Sequence, residues 1–578
     1  MIPSTTYDRL ADLVEEHGWR DGVGIILNEL GPTERMALFG EIHLGAQSAW
    51  MLWVGRTNQD TVLNLDDSIG TTTVALSYLF SHVTGVFQDE ATKRCAIARA
   101  RQDGRRIEAI SINRIKEDQI PLQEGLFDLI CLSNSRFWFE SDEMVFHKGK
   151  TCLSNLLKLL NPRGMIYLGM RKDPFSFRVG IGSQQLSHRG LVSSLEGSSW
   201  RVVTKLQFYP ALGPIETVTK EGSRRSWFRG WRSTLKKVVK GESYGLILVN
   251  SLPYTSSGVI GNISSQHGGG PSDEADIRVF VGTASSLVGK LPDRIIRVPL
   301  GQGALSRCRN NFETLQVLQG LSPVPIPAPS CSGSFGDLMY FEESRLPGYE
   351  PTGEQRGAWR SDKITAQASR YLLQLHAGTA QNVILDDVLF EELVGVPLAD
   401  FMTYCKGTDK DVFANVKVLV KDRLMGKATL LVRTHGDFKR TNLLVNEAGK
   451  VIGLIDWDLS RKMGFPLMDL LWFLGYEMYL KARVPFYQAI FRVAFEEDLL
   501  KNDCVQSYWH ALCVGDGSLQ KIYAAILLLY QFHEHLDYWH KADEHWFSHT
   551  MAPILRSAFE KALGSVAEIH YSAPSFSE

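Results

Sequence analysis

Between residues 251 and 276 the chain passes into a run of serine, glycine and proline, TSSGVIGNISSQHGGGPSDE, with apolar, patterned sequence on both sides. Such a composition cannot bury enough apolar surface to offset the entropy of ordering it. One core running through all 578 residues is therefore excluded, and a chain of this length is expected to fold as separate lobes. The expected division is residues 1–250, opening with a helical extension, a linker over 251–275, a small lobe over 276–345 and a larger one over 346–578.

The sequence differs on the two sides of that break. Before it, short apolar runs recur at 62–65, 83–87, 107–112, 127–132, 165–170, 202–208 and 244–250, and the first four alternate with helix-compatible stretches. The alternation predicts an α/β domain with a parallel, helix-covered sheet. After it, strand-rich sequence gives way near Ser361 to helical periodicity, as in Ala366, Tyr371, Leu372 and Leu375. That predicts an α+β arrangement, a small β-rich lobe followed by a helical one.

Charge and cysteine usage narrow the partners. The 62 Lys plus Arg nearly balance 64 Asp plus Glu, so a general nucleic-acid-binding surface is not expected. Disorder throughout is excluded by 44% apolar residues. The eight cysteines stand singly with no C-x-x-C pair, which suits reduced thiols and a cytoplasmic protein. No apolar run approaches the length of a membrane span.

The most informative stretch is THGDFKRTNLLVNEAGKVIGLIDWDLSRKMGFPLMDLLWFL, residues 434–474. Phosphoryl transfer from ATP needs a carboxylate to orient the attacking hydroxyl and oxygen ligands to hold magnesium against the phosphates. Asp437 fits the first role as base or orienter. Asn442 and Asp456 fit the second as hard oxygen donors. Residues 443–445 and 451–455 read as strands joined by the turn Asn446-Glu447-Ala448-Gly449, and such a hairpin would hold Asn442 and Asp456 side by side. Lys439 is suited to neutralising charge on the transferred phosphoryl group. Asp458 either binds a second metal or caps the following turn.

These residues resemble the H-G-D-x-x-x-x-N loop and following I-D strand end of the aminoglycoside phosphotransferase and choline kinase-like family. The resemblance implies a bilobal protein-kinase-like fold, ATP and Mg2+ as requirements, and an alcohol as phosphate acceptor. It also implies that Asp469 in Pro466-Leu467-Met468-Asp469 braces the catalytic loop. Upstream, residues 277–281, the loop Gly282 to Ser286 and residues 294–298 then read as a phosphate-covering hairpin. Ser285 and Ser286 lie in the nucleotide loop, Arg297 stands where the family carries the cation for the α and β phosphates, and Glu313 stands where the next helix carries its partner acid. The stretch 338–344 resembles the strand and hinge that meet adenine.

Residues 56–250 resemble a class I S-adenosylmethionine-dependent methyltransferase, a Rossmann-like fold with a seven-stranded sheet, on the phrases VLNLDDSIGTTTVALSYL, HVTGVFQDE, IPLQEGLFDLI and LLKLLNPRGMIYL. The cofactor motif is degenerate. Asn64 stands for its acid, Asp66 and Ser68 for two of its glycines, and only Gly70 remains; Phe87 replaces the ribose-binding acid with Asp89 two residues on, and Asn113 sits at the adenine position. Either the pocket tolerates these changes and binds S-adenosylmethionine, or the domain is a relic kept for packing or acceptor binding. Side chains at glycine positions favour the second.

Two further segments stand out. Residues 220–240 carry eight basic residues and one acid, with tryptophans at helical spacing. That segment can lie on anionic headgroups or a lipid-linked substrate as a peripheral membrane contact, or pack as an ordinary helix. The run with His533, His535, His540, His545 and His549 has one i, i+4 pair without a third ligand, and reads as a solvated helix. The expected function is ATP- and magnesium-dependent phosphorylation of a hydroxyl on a small molecule, sugar or glycan. The alternatives are a bifunctional methyltransferase–kinase acting on a surface polysaccharide or natural product, and a non-catalytic scaffold of two pseudoenzyme folds.

Overall fold

Strand β1 (Thr61–Leu65) is TVLNL, buried at every position but the first, as a strand covered on both faces is. It pairs in parallel with β2 (His82–Phe87) on one side and β4 (Phe127–Leu132) on the other. In the computed structural model the described residues are 4–31, 34–35, 38, 41–42, 48–53, 61–65, 69–87, 89–111, 126–132, 156–170, 200–209, 217–220, 244–250, 259, 263, 278–281, 286–351, 361–482, 484–496, 503–512, 518–539 and 547–564. Contacts gather the chain into two units, Met1–Cys308 with Ser330–Arg345, and Arg309–Pro329 with Leu346–Glu578.

In the first unit α1 (Ser4–Glu29) precedes the sheet, and α2 (Thr71–Leu76) and α3 (Glu90–Gln102) form crossovers between parallel strands. Asp89 caps α3, its Oδ1 accepting the Thr92 N–H at 2.8 Å. The polar residue inside β1, Asn64, is fully buried and donates to Thr73 Oγ1 at 2.8 Å, so no donor is stranded there. With β3 (Glu108–Ser111) beside β2 and β5 (Leu160–Met170) beside β4, the parallel order is β3-β2-β1-β4-β5, the Rossmann-like α/β arrangement.

Beyond β5 the pairing becomes antiparallel and does not stop where the lobes were expected to part. Strands β6 (Trp200–Tyr209), β7 (Thr217–Lys220) and β8 (Tyr244–Asn250) join first, in the order β8-β6-β7. Then β9 (Arg278–Val281) pairs with β7, Thr217 opposite Phe280. Through β9 come β10 (Ser286–Lys290), β11 (Arg294–Pro299), β13 (Leu338–Ser344) and β12 (Pro329–Phe335), making one sheet of 13 strands. The apolar core is shared too: Trp50, Leu76, Leu129 and Met165 lie in one cluster with Leu287, Ile296, Val298 and Leu338. Within the stretch read as a linker, Val259 and Ile263 are fully buried in that cluster; the rest of 251–275 lies outside the described residues. Pairing β7 with β9 covers two edges that would otherwise expose unpaired N–H and C=O groups.

The second unit is built from α5 (Ser361–Thr379), α6 (Thr408–Leu424), α7 (Met468–Ala482), α8 (Phe486–Phe491), α9 (Asp503–Leu512), α10 (Ser518–Trp539) and α11 (Ala552–Leu563) around one large apolar cluster. The C-terminal part of α4 (Gln302–Leu318) lies in this unit and gives Leu315 and Leu318 to the same cluster. At its centre Phe401 meets Phe413, Phe532 and Phe547 with ring centroids 4.6, 5.1 and 4.9 Å away. Strands β14 (Gln381–Ile384), β15 (Ala428–Thr434) and β18 (Arg461–Gly464) form a small sheet, and β16 (Leu443–Val445) with β17 (Val451–Leu454) a hairpin. Among the described residues no helix is long and apolar enough to cross a membrane.

Phe401→Ala should destabilise the second unit by about 3–5 kcal/mol, the range for removing a buried aromatic side chain. Guanidinium unfolding followed by far-ultraviolet circular dichroism should show an earlier loss of helix than in the wild type.

Candidate active site

Strand β15 delivers His435 into the core and the chain must then turn at once. Gly436 makes that turn with φ at 84°, and a Cβ there would stand 2.1 Å from the carbonyl oxygen of Leu459. Only glycine fits. After the loop a short helical turn over Arg440–Asn442 leads into β16, whose hairpin closes through Gly449 N–H to Asn446 O at 2.9 Å. The returning strand ends with Ile455 N–H donating to Asn442 O at 3.0 Å, which sets Asp456 beside Asn442 as the hairpin reading expected.

The loop is held from below by Asp469, at the start of α7. Its Oδ2 accepts the His435 N–H at 2.6 Å and its Oδ1 the Gly436 N–H at 2.9 Å. Behind it, His376 on α5 reaches Asp469 Oδ2 at 3.2 Å through Nε2 and the Tyr508 hydroxyl at 2.5 Å through Nδ1. Burial alone would raise the Asp469 carboxyl, but bonds and charge from His376 and the His435 side outweigh it, and it sits below the usual carboxylate range. His435 is pushed down, chiefly by burial. A neutral ring agrees with its bonds: Nδ1 accepts the Asp437 N–H at 3.3 Å and Nε2 donates to Ile455 O at 3.1 Å.

On this frame the predicted catalytic residues converge. Lys439 Nζ lies 2.6 Å from Asp437 Oδ2, and Asn442 Nδ2 donates to Asp437 O at 2.9 Å and to Oδ2 at 3.2 Å. Burial opposes the charge on Lys439, yet the attraction of Asp437 and their hydrogen bond prevail, with Asp456 adding to them, and the ammonium is held above its ordinary value. Asp456 is half-buried and has φ at 72°, a left-handed conformation unusual outside glycine. The segment around it is tied to α4: Asn311 Oδ1 accepts the Trp457 N–H at 2.9 Å, and Asn310 Nδ2 donates to the Asp458 and Ser460 carbonyls at 2.9 and 2.8 Å. Below the loop Arg440 Nε donates to Glu477 Oε1 at 2.7 Å and its second nitrogen meets Oε2, a two-pronged, partly buried pair.

The donor set suits magnesium. Asn442 spends its amide nitrogen on Asp437, which leaves the amide oxygen as its acceptor, and Asp456 adds a carboxylate. Among the described residues no three His, Cys, Asp or Glu side chains gather as a cage, and magnesium on a nucleotide uses only one or two protein oxygens beside phosphates and water.

The remaining expectations are more scattered. In the first unit Arg297, on β11, pairs with Glu343 of β13 at 3.1 Å, a partner the sequence did not single out; Glu313 lies exposed on α4. Ser286 begins β10 opposite Pro299, and Ser285 lies outside the described residues. So do Asp66, Asn113, segment 221–243 and His545. Gly70 is described, with φ at 83° and the Ala96 Cβ 2.2 Å from where its own would be. Ala96 of α3 therefore lies against it, while Asp89 Oδ1 accepts the Thr92 N–H and hydroxyl at the start of that helix.

Residues 271–501 match the APH phosphotransferase enzyme family. That part of the chain is a phosphotransferase-family domain. Among solved structures, the ADP-bound aminoglycoside phosphotransferase APH(2'')-Ib is 12% identical, covers 52% of this chain and 97% of its own, and superposes with a TM-score of 0.34. The APH(3'')-Id enzyme of Streptomyces rimosus is 11% identical over 46% of this chain and 95% of its own, TM-score 0.31. The streptomycin–ATP complex of APH(2'')-IIa is 13% identical over 48% and 93%, TM-score 0.31. No curated protein matches the chain.

Several residues around the loop escaped sequence reasoning. Trp472 donates its indole N–H to Asp437 Oδ1 at 3.1 Å; its position three residues after Asp469 on a helix was the one available signal. His376 and Tyr508 gave none, being apolar-face residues of helices far apart in sequence.

The folded-state shift of His435 fixes a pH dependence. Its value lies below the ordinary 6.5, so as pH falls below 6.5 the unfolded chain binds a proton that the folded chain refuses, and stability declines. The depressed Asp469 carboxyl adds a further loss in stronger acid, below its ordinary 3.8. Thermal unfolding followed across pH should show the first decline in the wild type and its loss in His435→Gln.

Proposed function

We propose that the domain transfers the γ-phosphoryl group of ATP to a hydroxyl of a small molecule, sugar or glycan. The observation that carries this reading is the convergence of Lys439 and Asn442 on Asp437 Oδ2, with Asp456 set beside Asn442 by the hairpin. Asp437 orients the acceptor hydroxyl. As the hydroxyl oxygen bonds to the γ-phosphorus, the bond from that phosphorus to the β–γ bridging oxygen breaks, the hydroxyl proton passes to Asp437 and ADP departs.

Lys439 carries three N–H donors, and one of them holds Asp437. The others serve the transferred phosphoryl, whose charge needs a compensating cation in a partly buried site. Asn442 and Asp456 would hold magnesium, which when bound offsets phosphate charge. We assign Arg297, which pairs with Glu343, to the α and β phosphates together with Ser285 and Ser286, since arginine reaches two oxygens at once. Kinases of this design need little covalent chemistry from the protein, so a few fixed polar groups suffice.

Release of ADP from magnesium–ATP, measured with a panel of hydroxyl acceptors, tests the reading. Asp437→Asn and Asp456→Asn should each lower turnover roughly 10³-fold, and Lys439→Ala about 10²-fold, magnitudes typical of a lost base or charge-stabilising group. Turnover that survives both aspartate substitutions would reject it.

A further inference from the structure

An ionised carboxylate offers about four acceptor directions, two on each oxygen. On Asp437 both directions of Oδ2 are filled, by Lys439 Nζ at 2.6 Å and Asn442 Nδ2 at 3.2 Å. On Oδ1 one is filled among the described residues, by the Trp472 indole N–H at 3.1 Å. Resting on the phosphotransfer reading, we infer that Trp472 is a positioning residue: its N–H fixes the carboxylate so that Oδ1 keeps the one open direction, and the acceptor hydroxyl is received there.

The indole is built to hold that aim. Trp472 is buried, it sits on the same helix as Asp469, and its ring meets Phe486 edge-on with centroids 4.9 Å apart. One helix therefore fixes the backbone of the catalytic loop through Asp469 and the side chain of its aspartate through Trp472. Without the indole N–H, the two donors on Oδ2 still tether that oxygen, but rotation about the Cβ–Cγ bond swings Oδ1 away from a defined direction. A hydroxyl misaligned by a fraction of an ångström reacts far more slowly while nucleotide binding is untouched.

Two substitutions separate the hydrogen bond from packing. Trp472→Phe keeps an aromatic ring and loses the donor, whereas Trp472→His loses the benzo ring but carries a ring N–H at the same number of bonds from the backbone. With magnesium–ATP alone, and water as the hydroxyl acceptor, Trp472→Phe is expected to lower kcat roughly tenfold and leave the ATP KM within about twofold, as expected for a lost bond to a charged group. Trp472→His should retain more of kcat than Trp472→Phe. If the wild type turns over ATP and Trp472→Phe matches it, or loses nucleotide affinity in step with kcat, the inference is overturned and the indole is packing alone. Should Trp472→His fail to fold, the kcat-against-KM split in Trp472→Phe decides. A wild type that releases no ADP from magnesium–ATP with water or with any acceptor of the panel would instead reject the phosphotransfer reading itself, and this inference with it.

Discussion

A single buried carboxylate organises the loop that follows β15 in the second unit. Asp469 accepts two successive backbone N–H groups, from His435 and Gly436, at a point where the chain leaves β15 and has no strand or helix partner to satisfy them. Unpaired, those groups would each forfeit the desolvation energy of a buried donor, about 1–3 kcal/mol. The charge itself is supported by His376, which is in turn fixed by Tyr508. Everything downstream, from the Gly436 turn to the direction in which Asp437 leaves the main chain, follows from that grip.

Much of this is legible in the sequence. Asp437, Asn442 and Asp456 stand at spacings set by a loop, a hairpin and a strand end, all of them local structures whose turn residues are visible in the sequence. Asp469 could be placed because it starts a helix within the same forty-residue stretch. Trp472 was harder: an apolar helix face looks the same whether its tryptophan fills the core or turns its N–H on a carboxylate. His376 and Tyr508 lie 132 residues apart and meet only through packing, which no local pattern encodes.

The first unit shows the opposite balance. Its parallel half, β3-β2-β1-β4-β5, is written in alternating apolar runs and helices, and folds in that order. The continuation is not written anywhere local. Pairing of β7 with β9 joins residues 217–219 to 278–280 across a stretch rich in serine and glycine. A composition poor in apolar groups predicts that a segment cannot build a core by itself; it does not forbid its few apolar residues, Val259 and Ile263, from lodging in a neighbour's core. Nor does it prevent the strands on either side from sharing an edge. Strand edges attract whatever edge is near, so the same physics that disfavours an isolated five-stranded lobe favours one continuous sheet.

Backbone strain is concentrated beside this loop. Among the described residues the two non-glycine positions with positive φ are Asp456, at 72°, and Leu467, at 79°. Such a conformation costs an L-residue about 1–2 kcal/mol, more readily tolerated by aspartate than by leucine. Both are clamped by neighbours: Ile455 and Trp457 donate to Asn442 and Asn311 on either side of Asp456, and Leu467 N–H donates to the Tyr508 hydroxyl at 3.1 Å. The leucine has no chemistry of its own to offer. Its strain makes sense through position, two residues before Asp469, where the kink sets the first turn of α7 so that one carboxylate faces two main-chain donors. Tyr508 thus serves both ends of the device, steadying the strained residue with its oxygen and, through His376, the charge that the strain delivers.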